Sequence, residues 1–261
     1  EECAVEAAVQ LVEQHGGTTT VLTVGAPAAE EQLRHAVSGG LGDAVPVVTD
    51  GSGWDPQRTA HANVHPAAPL GADGAVAKSL LANSSLQISG AGSLGLSNAS
   101  QFTQQFTLSG GSLTGAGSVS VTGASGVFTW SDGTVASGNT FLLGSASSGI
   151  FSNSLTLNRL FENQGNLTLA GATVGGTGSI ANSGTLTVAG GPSSAINVPL
   201  TNIINTTPGT IQVNGVLAAT NFPTNAGIIN VGGAGTLSTG NASLTNEAGA
   251  TILAQIGRAH V

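Results

Sequence analysis

A mainly β fold, a parallel β-helix (solenoid) preceded by a small, incomplete α/β doubly wound fragment, is what this sequence predicts. Three observations carry the prediction. Short strands with alternating apolar residues fill the chain from Leu86 onward, each too small to fold alone. The pattern Asn-x-Gly before such a strand recurs at Asn163-Gln164-Gly165, Asn182-Ser183-Gly184 and Asn225-Ala226-Gly227, loosened at Asn246-Glu247-Ala248-Gly249 and distorted from Asn205 to Ile211. Its step of about 18–25 residues is the length of one solenoid turn. Third, nine of the 13 acidic residues lie before Asn63, from Glu1 to Asp55, so the first segment has a composition of its own.

The elements of that first segment follow in order. Val5, Ala8, Val9 and Val12 recur at three- and four-residue spacing between Glu6, Gln10 and Glu13, which predicts an amphipathic helix over 2–14. His15-Gly16-Gly17 ends it, as glycine does just past a helix. Thr18 to Val24 is β-branched and reads as a buried parallel strand, after which Gly25-Ala26-Pro27 turns the chain. A second helix is expected over 28–38, with Leu33, Ala36 and Val37 inward, then a strand over 44–48 in which Pro46 points to an edge. Asp55 as N-cap and Pro56 at the first position open a third helix. Helix, strand, helix, strand, helix is one side of a doubly wound sheet.

The blocks Glu2 to Leu11, Val21-Leu22-Thr23-Val24-Gly25, Glu30 to Ala36 and Asp55-Pro56 together resemble the N-terminal domain of electron transfer flavoprotein β subunits. The resemblance covers residues 1–62. It implies AMP held by the β subunit, FAD held together with an α subunit as partner, electron transfer from acyl-CoA and similar dehydrogenases, and a cytoplasmic setting. Val24 and Gly25, at the carboxyl end of their strand where such sheets bind nucleotides, are the positions it assigns to backbone contacts with AMP; the competing reading of Gly25 is a plain chain turn. The family's first strand and its Asn-Pro turn would lie upstream of Glu1, and its Thr-Gly loop over AMP has no counterpart downstream. The chain itself is therefore expected to carry no cofactor.

Residues 63–83 are expected to be a junction, with Pro66, Pro69, Gly71 and Gly74 in a loop-like passage and a weak helix over 75–81. The solenoid is expected over 84–255. In it, Leu, Ile and Val of each turn face those of the turns above and below. Glycine and asparagine are expected to supply positive-φ corners, and asparagines at one recurring position to stack as an amide ladder. The segments Gly111 to Val119 and Phe128 to Thr134 resemble repeats of bacterial secreted proteins of the autotransporter and filamentous-haemagglutinin kind. That resemblance implies right-handed parallel β-helices, export to the cell surface or medium, and a scaffold or adhesive role, but no particular ligand; a cell-surface or carbohydrate partner is a separate expectation for the solenoid.

Composition narrows the function classes. Lys78, Arg159 and Arg258 are the only lysine or arginine residues after Arg58, which leaves no basic patch for nucleic acid. Catalysis on a β-helix by acid–base chemistry needs clustered carboxylates, whereas Asp132 and Glu162 lie about thirty residues apart; the chain is not expected to be an enzyme. Cys3 is the only cysteine and sits in a helical turn without a metal partner, and the histidines are expected to be solvated. The last six residues, Ile256-Gly257-Arg258-Ala259-His260-Val261, resemble one reading frame of a common sequencing-library adapter, so the tail over 256–261 is expected to be artificial and the chain a join of two unrelated pieces.

Overall fold

The computed structural model describes residues 20–25, 43–48, 75–77, 79–83, 85–203 and 208–255. The three expected helices, Asn205 and the tail over 256–261 lie outside them. Two compact units divide the chain, Glu1–Thr59 and Ala60–Val261. In the first, the strands Thr20–Gly25 and Asp43–Val48 pair in parallel, Thr20 opposite Asp43 and Gly25 opposite Val48. Parallel neighbours need a crossover of a dozen or more residues between them, and residues 26–42 have that length. Pro46 stands opposite Thr23; among the described residues this sheet has two strands, each with an edge that tolerates a missing N–H.

The second unit is a β-solenoid of about eight turns in which every strand pairing is parallel, and no helix occurs among the described residues. Each turn supplies three strand segments. The strands Leu86–Leu96, Gln105–Thr114, Val127–Val135, Ser148–Leu157 and Asn166–Gly175 bend midway and so lay down a first and a second face. In later turns the halves separate, for example Thr185–Val188 on the first face and Ser194–Ile196 on the second. The third face is a nine-stranded sheet running from Leu81–Ala82 to Thr245–Asn246. Along the first face Leu86, Phe106, Phe128, Gly149, Leu167, Leu186, Ile211, Ile229 and Ile252 stand in register, so the turns vary from 18 to 25 residues.

The helix expected over 75–81 is not there. Its place holds the strands Ala75–Ala77 and Leu81–Ala82, paired with Leu94–Leu96 and with Gln101–Phe102. Alanine favours helix locally, but the open edges of the next turn offer these residues ladder hydrogen bonds, and tertiary context overrides propensity.

The bend between the first two faces explains one set of glycines. Gly90, Gly111, Gly133 and Gly171 occupy it at φ of 59°, 67°, 92° and 71°, and Asn153 takes the same place at 58°. This left-handed region costs a Cβ-bearing residue roughly 1–2 kcal/mol. Asparagine tolerates it best, and here its Nδ2 donates to the Ser131 carbonyl at 3.2 Å.

The Asn-x-Gly corners work differently from expectation. Asn153 is the one non-glycine with positive φ among the described residues, so the asparagines of the motif do not make left-handed corners. They point inward and form the expected ladder. Nδ2 of Asn163 donates to Oδ1 of Asn182, and the same bond continues through Asn202, Asn225 and Asn246, each step 2.7 Å. The distorted copy enters through Asn202, upstream of Asn205; its longer corner closes by a hydrogen bond from the Gly209 amide to the Ile203 carbonyl at 2.9 Å. Each ladder amide also serves carbonyls turned inward at the corner, Asn182 those of Gly184 and Thr210, Asn202 those of Gly209 and Ile228. The motif glycines are present for close approach. A Cβ at Gly184 would collide with the Gly165 carbonyl, and one at Gly227 with the Gly209 carbonyl. Gly184→Ala is accordingly expected to destabilise the solenoid by about 1–3 kcal/mol through overpacking against backbone, read as a lower urea midpoint by circular dichroism. An unchanged midpoint would show that the corner yields.

The ladder replaces an apolar column. On the third face, Ala82, Phe102, Val121 and Leu143 precede Asn163 in register. The first turns instead hold an aromatic core, in which Phe102, Phe106, Phe128, Trp130, Phe141, Phe151 and Phe161 are all buried. Ring centroids of Phe102 and Phe106 lie 4.5 Å apart, and those of Trp130 and Phe151 meet edge to face at 5.1 Å. Gly149 falls in this stack between Phe128 and Leu167, where a Cβ would press on Leu167 and Leu143 at 3.0 and 3.1 Å.

Candidate functional site

Outward-facing columns are the surface this unit offers. On the first face Gln87, Thr107, Thr129, Ile150, Thr168, Thr187, Gln212, Asn230 and Leu253 follow one another in register. Neighbouring strands repeat at about 4.8 Å, so hydroxyls, methyls and amides recur at that interval. Hydrogen bonds between turns order the surface: Gln87 Nε2 donates to Ser109 Oγ at 3.2 Å, Gln101 Nε2 to Thr122 Oγ1 at 2.6 Å, and Thr103 Oγ1 to Asn83 Oδ1 at 3.1 Å. All seven phenylalanines and Trp130 are buried, so they offer this surface no ring on which a sugar could stack.

The ionisable groups of the solenoid stand apart. Asp132 sits at the bend of the first and second faces, where its Oδ1 accepts from the Gly133 amide at 2.6 Å. Glu162 lies on the third face, its Oε1 accepting from Gln164 Nε2 at 2.7 Å. Glu247 follows the last ladder asparagine. Among the described residues no three His, Cys, Asp or Glu side chains gather as a metal site would require.

Arg159 is buried, which its sequence position gave no reason to expect. Its Nε donates to the Ala136 carbonyl at 2.6 Å, one terminal nitrogen to Gly117 at 3.1 Å, and the other to Gly115 at 3.1 Å and Ser137 at 3.4 Å. Four carbonyls from the two preceding turns thus solvate the guanidinium, and desolvation pulls its pKa below the usual arginine value. With the fork filled by carbonyls of the chain, the group ties three successive turns together and leaves no geometry for an outside anion.

In the first unit, Val24 and Gly25 end the strand Thr20–Gly25, opposite Val47 and Val48. The carboxyl end of a parallel strand is where nucleotides bind in α/β sheets; the described backbone extends only this far.

Comparison with known proteins gives two short matches in the N-terminal region. The chain is 51% identical over 45 residues to the electron transfer flavoprotein subunit beta of Bacillus subtilis, and 53% identical over 47 residues to protein FixA of Azorhizobium caulinodans. The matches take up 17% and 18% of this chain and 18% and 16% of those proteins. The likeness is therefore to a small part of each relative. No family profile and no solved structure matches the chain.

Proposed function

We propose that the chain joins two unrelated pieces and that the larger, solenoid piece is a bacterial surface or secreted scaffold with a structural or adhesive role. The observation that carries this reading is the parallel, in-register stacking of about eight turns beneath outward columns of hydroxyl and amide side chains. A stack of this kind is a stiff rod that presents the same weak contact many times, the condition under which avidity exceeds single-site affinity. A carbohydrate or other polar cell-surface ligand would be held by hydrogen bonds along the threonine column. As a test, the full chain and a variant with Thr107, Thr129, Thr168 and Thr187 all changed to Val would be coated on beads and incubated with bacterial cells and immobilised polysaccharides. Retention at least tenfold weaker for the variant is expected; equal retention, or none by either protein, would remove the adhesive role.

The N-terminal region supports a second reading, a fragment of an electron transfer flavoprotein β-like subunit, on the strength of the two short matches and the parallel strand pair. The change in acidic content near Asn63 and the small share of the chain that is matched favour a join over a single electron-transfer protein. Amplification across codons 55–75 of the source DNA is expected to give no contiguous product. The matched stretch is under a fifth of each relative's length, and we propose that Val24 and Gly25 stand here without the rest of the pocket that holds FAD and AMP in that family. The purified chain is therefore expected to bind neither FAD nor AMP: a yellow cofactor carried through purification, or a rise in Tm with AMP, would overturn this.

A further inference from the structure

We propose that the first face of the solenoid binds ice, a function that goes beyond the adhesive reading and does not rest on it. Two outward columns run side by side on this face. Next to the column that includes Thr107, Thr129, Thr168 and Thr187, a second one holds Val127, Ser148, Asn166, Thr185 and Thr210 in register, two residues earlier on each strand. Residues two apart on a parallel strand lie about 6.6 Å from each other, and neighbouring strands about 4.8 Å, so the two columns form a rectangular net. Its repeats are close to those between equivalent oxygen atoms on a prism face of hexagonal ice, along the c and a axes respectively. The net keeps its shape over the whole face. From Leu86–Ile88 to Ile228–Val231 no register shift interrupts the first-face ladder; every shift falls toward the bend that follows it.

The chemistry of the face also suits water held in a lattice. Among the described residues the first face turns no ionisable side chain outward, since Asp132 stands at the bend and Glu162 on the third face. A charge would draw water into a radial shell that no plane of ice matches. Water against Val127, Ile150, Ile228 and the threonine methyls finds no partner in those groups and bonds to other water instead. The hydroxyls and amides of the net then anchor that layer at the lattice spacing. Threonine is β-branched and restricted at χ1, and Thr168 and Thr187 are half-buried in their column. The anchors are thus in place before ice arrives, which lowers the cost of ordering them. Each is weak, and many act together on one crystal plane.

The test uses the full chain with a single ice crystal held just below its melting point, and involves neither cells nor polysaccharides, so the adhesive reading stands or falls separately. The parent chain is expected to facet the crystal and to hold back its growth over a measurable interval of supercooling. Labelled at Cys3 with a fluorescent maleimide, it is expected to be enriched in a slowly grown ice hemisphere. Thr168→Tyr and Thr187→Tyr, which each raise a ring above the net, are each expected to lower that enrichment at least tenfold with an unchanged β-type circular dichroism spectrum. Thr201→Tyr, outward on the third face between buried Leu200 and Asn202, is expected to leave it unchanged. A parent chain that neither facets ice nor enters it, first-face variants enriched as strongly as the parent, or an equal loss from Thr201→Tyr would each overturn the inference.

Discussion

Asn202→Leu should lower the stability of the solenoid by about 3 kcal/mol, although it replaces a buried polar residue with an apolar one of similar size. Asn202 stands in the middle of the amide ladder. Its Oδ1 accepts from Asn182, and its Nδ2 donates to Asn225 and to the carbonyls of Gly209 and Ile228. Removing one partner of a buried hydrogen bond costs about 1–3 kcal/mol for the group left behind, and here several groups lose a partner together, some retaining a second. The ladder also has a direction. Every Nδ2 points toward the next turn, so Oδ1 of Asn163, where the ladder starts, is buried without a donor. Leu143 precedes it in register. Leu143→Asn would place an amide where it can donate to that oxygen, so its cost is expected to be smaller than that of Asn202→Leu. Urea midpoints for both variants decide the matter. A larger loss for Leu143→Asn would mean that the apolar column, not the amide chain, sets stability at this corner.

Trp130→Ala should cost about 3–5 kcal/mol, the range for emptying a large aromatic site in a packed core. Trp130 is fully buried, meets Phe151 edge to face at 5.1 Å and lies 6.0 Å from Phe128. Its Nε1 donates to the Asp132 carbonyl at 3.1 Å, which pins the bend between the first two faces. Trp130→Phe keeps most of the volume and loses this bond, so about 1–2 kcal/mol is expected from it. Because a solenoid couples neighbouring turns most strongly, hydrogen exchange should rise first in the turns around 106–161 and least near Ile229. Equal acceleration throughout would show that the stack unfolds as one unit.

Much of this architecture was legible from local pattern. Alternating residues such as Leu167-Thr168-Leu169 and Leu186-Thr187-Val188 set strand and face together, because successive side chains point to opposite sides of a strand. The spacing of Asn163, Asn182 and Asn225 set the turn length and placed the ladder. Less legible were the residues whose roles depend on what stands one or two turns away. Glycine at 165, 184 and 227 reads as a flexible corner in sequence, yet it is needed because a carbonyl of the preceding turn occupies the Cβ position. Ala75 to Leu81 reads as a weak helix because nothing local announces the strand edge beside it.

The candidate surface divides in the same way. That it would be polar and nearly free of charge follows from composition, since long charged side chains obstruct close stacking of turns. That Thr107, Thr129, Thr168 and Thr187 form one column, and that Arg159 is buried on four carbonyls, depends on register between turns. The sequence by itself determined strand identity, inward and outward faces, and the turn length, all short-range properties of alternation and repeat. Only the tertiary structure decided which turn meets which. Contacts between residues about twenty positions apart are fixed by backbone register and by the fit of side chains in the shared core, and neither is written within a single turn.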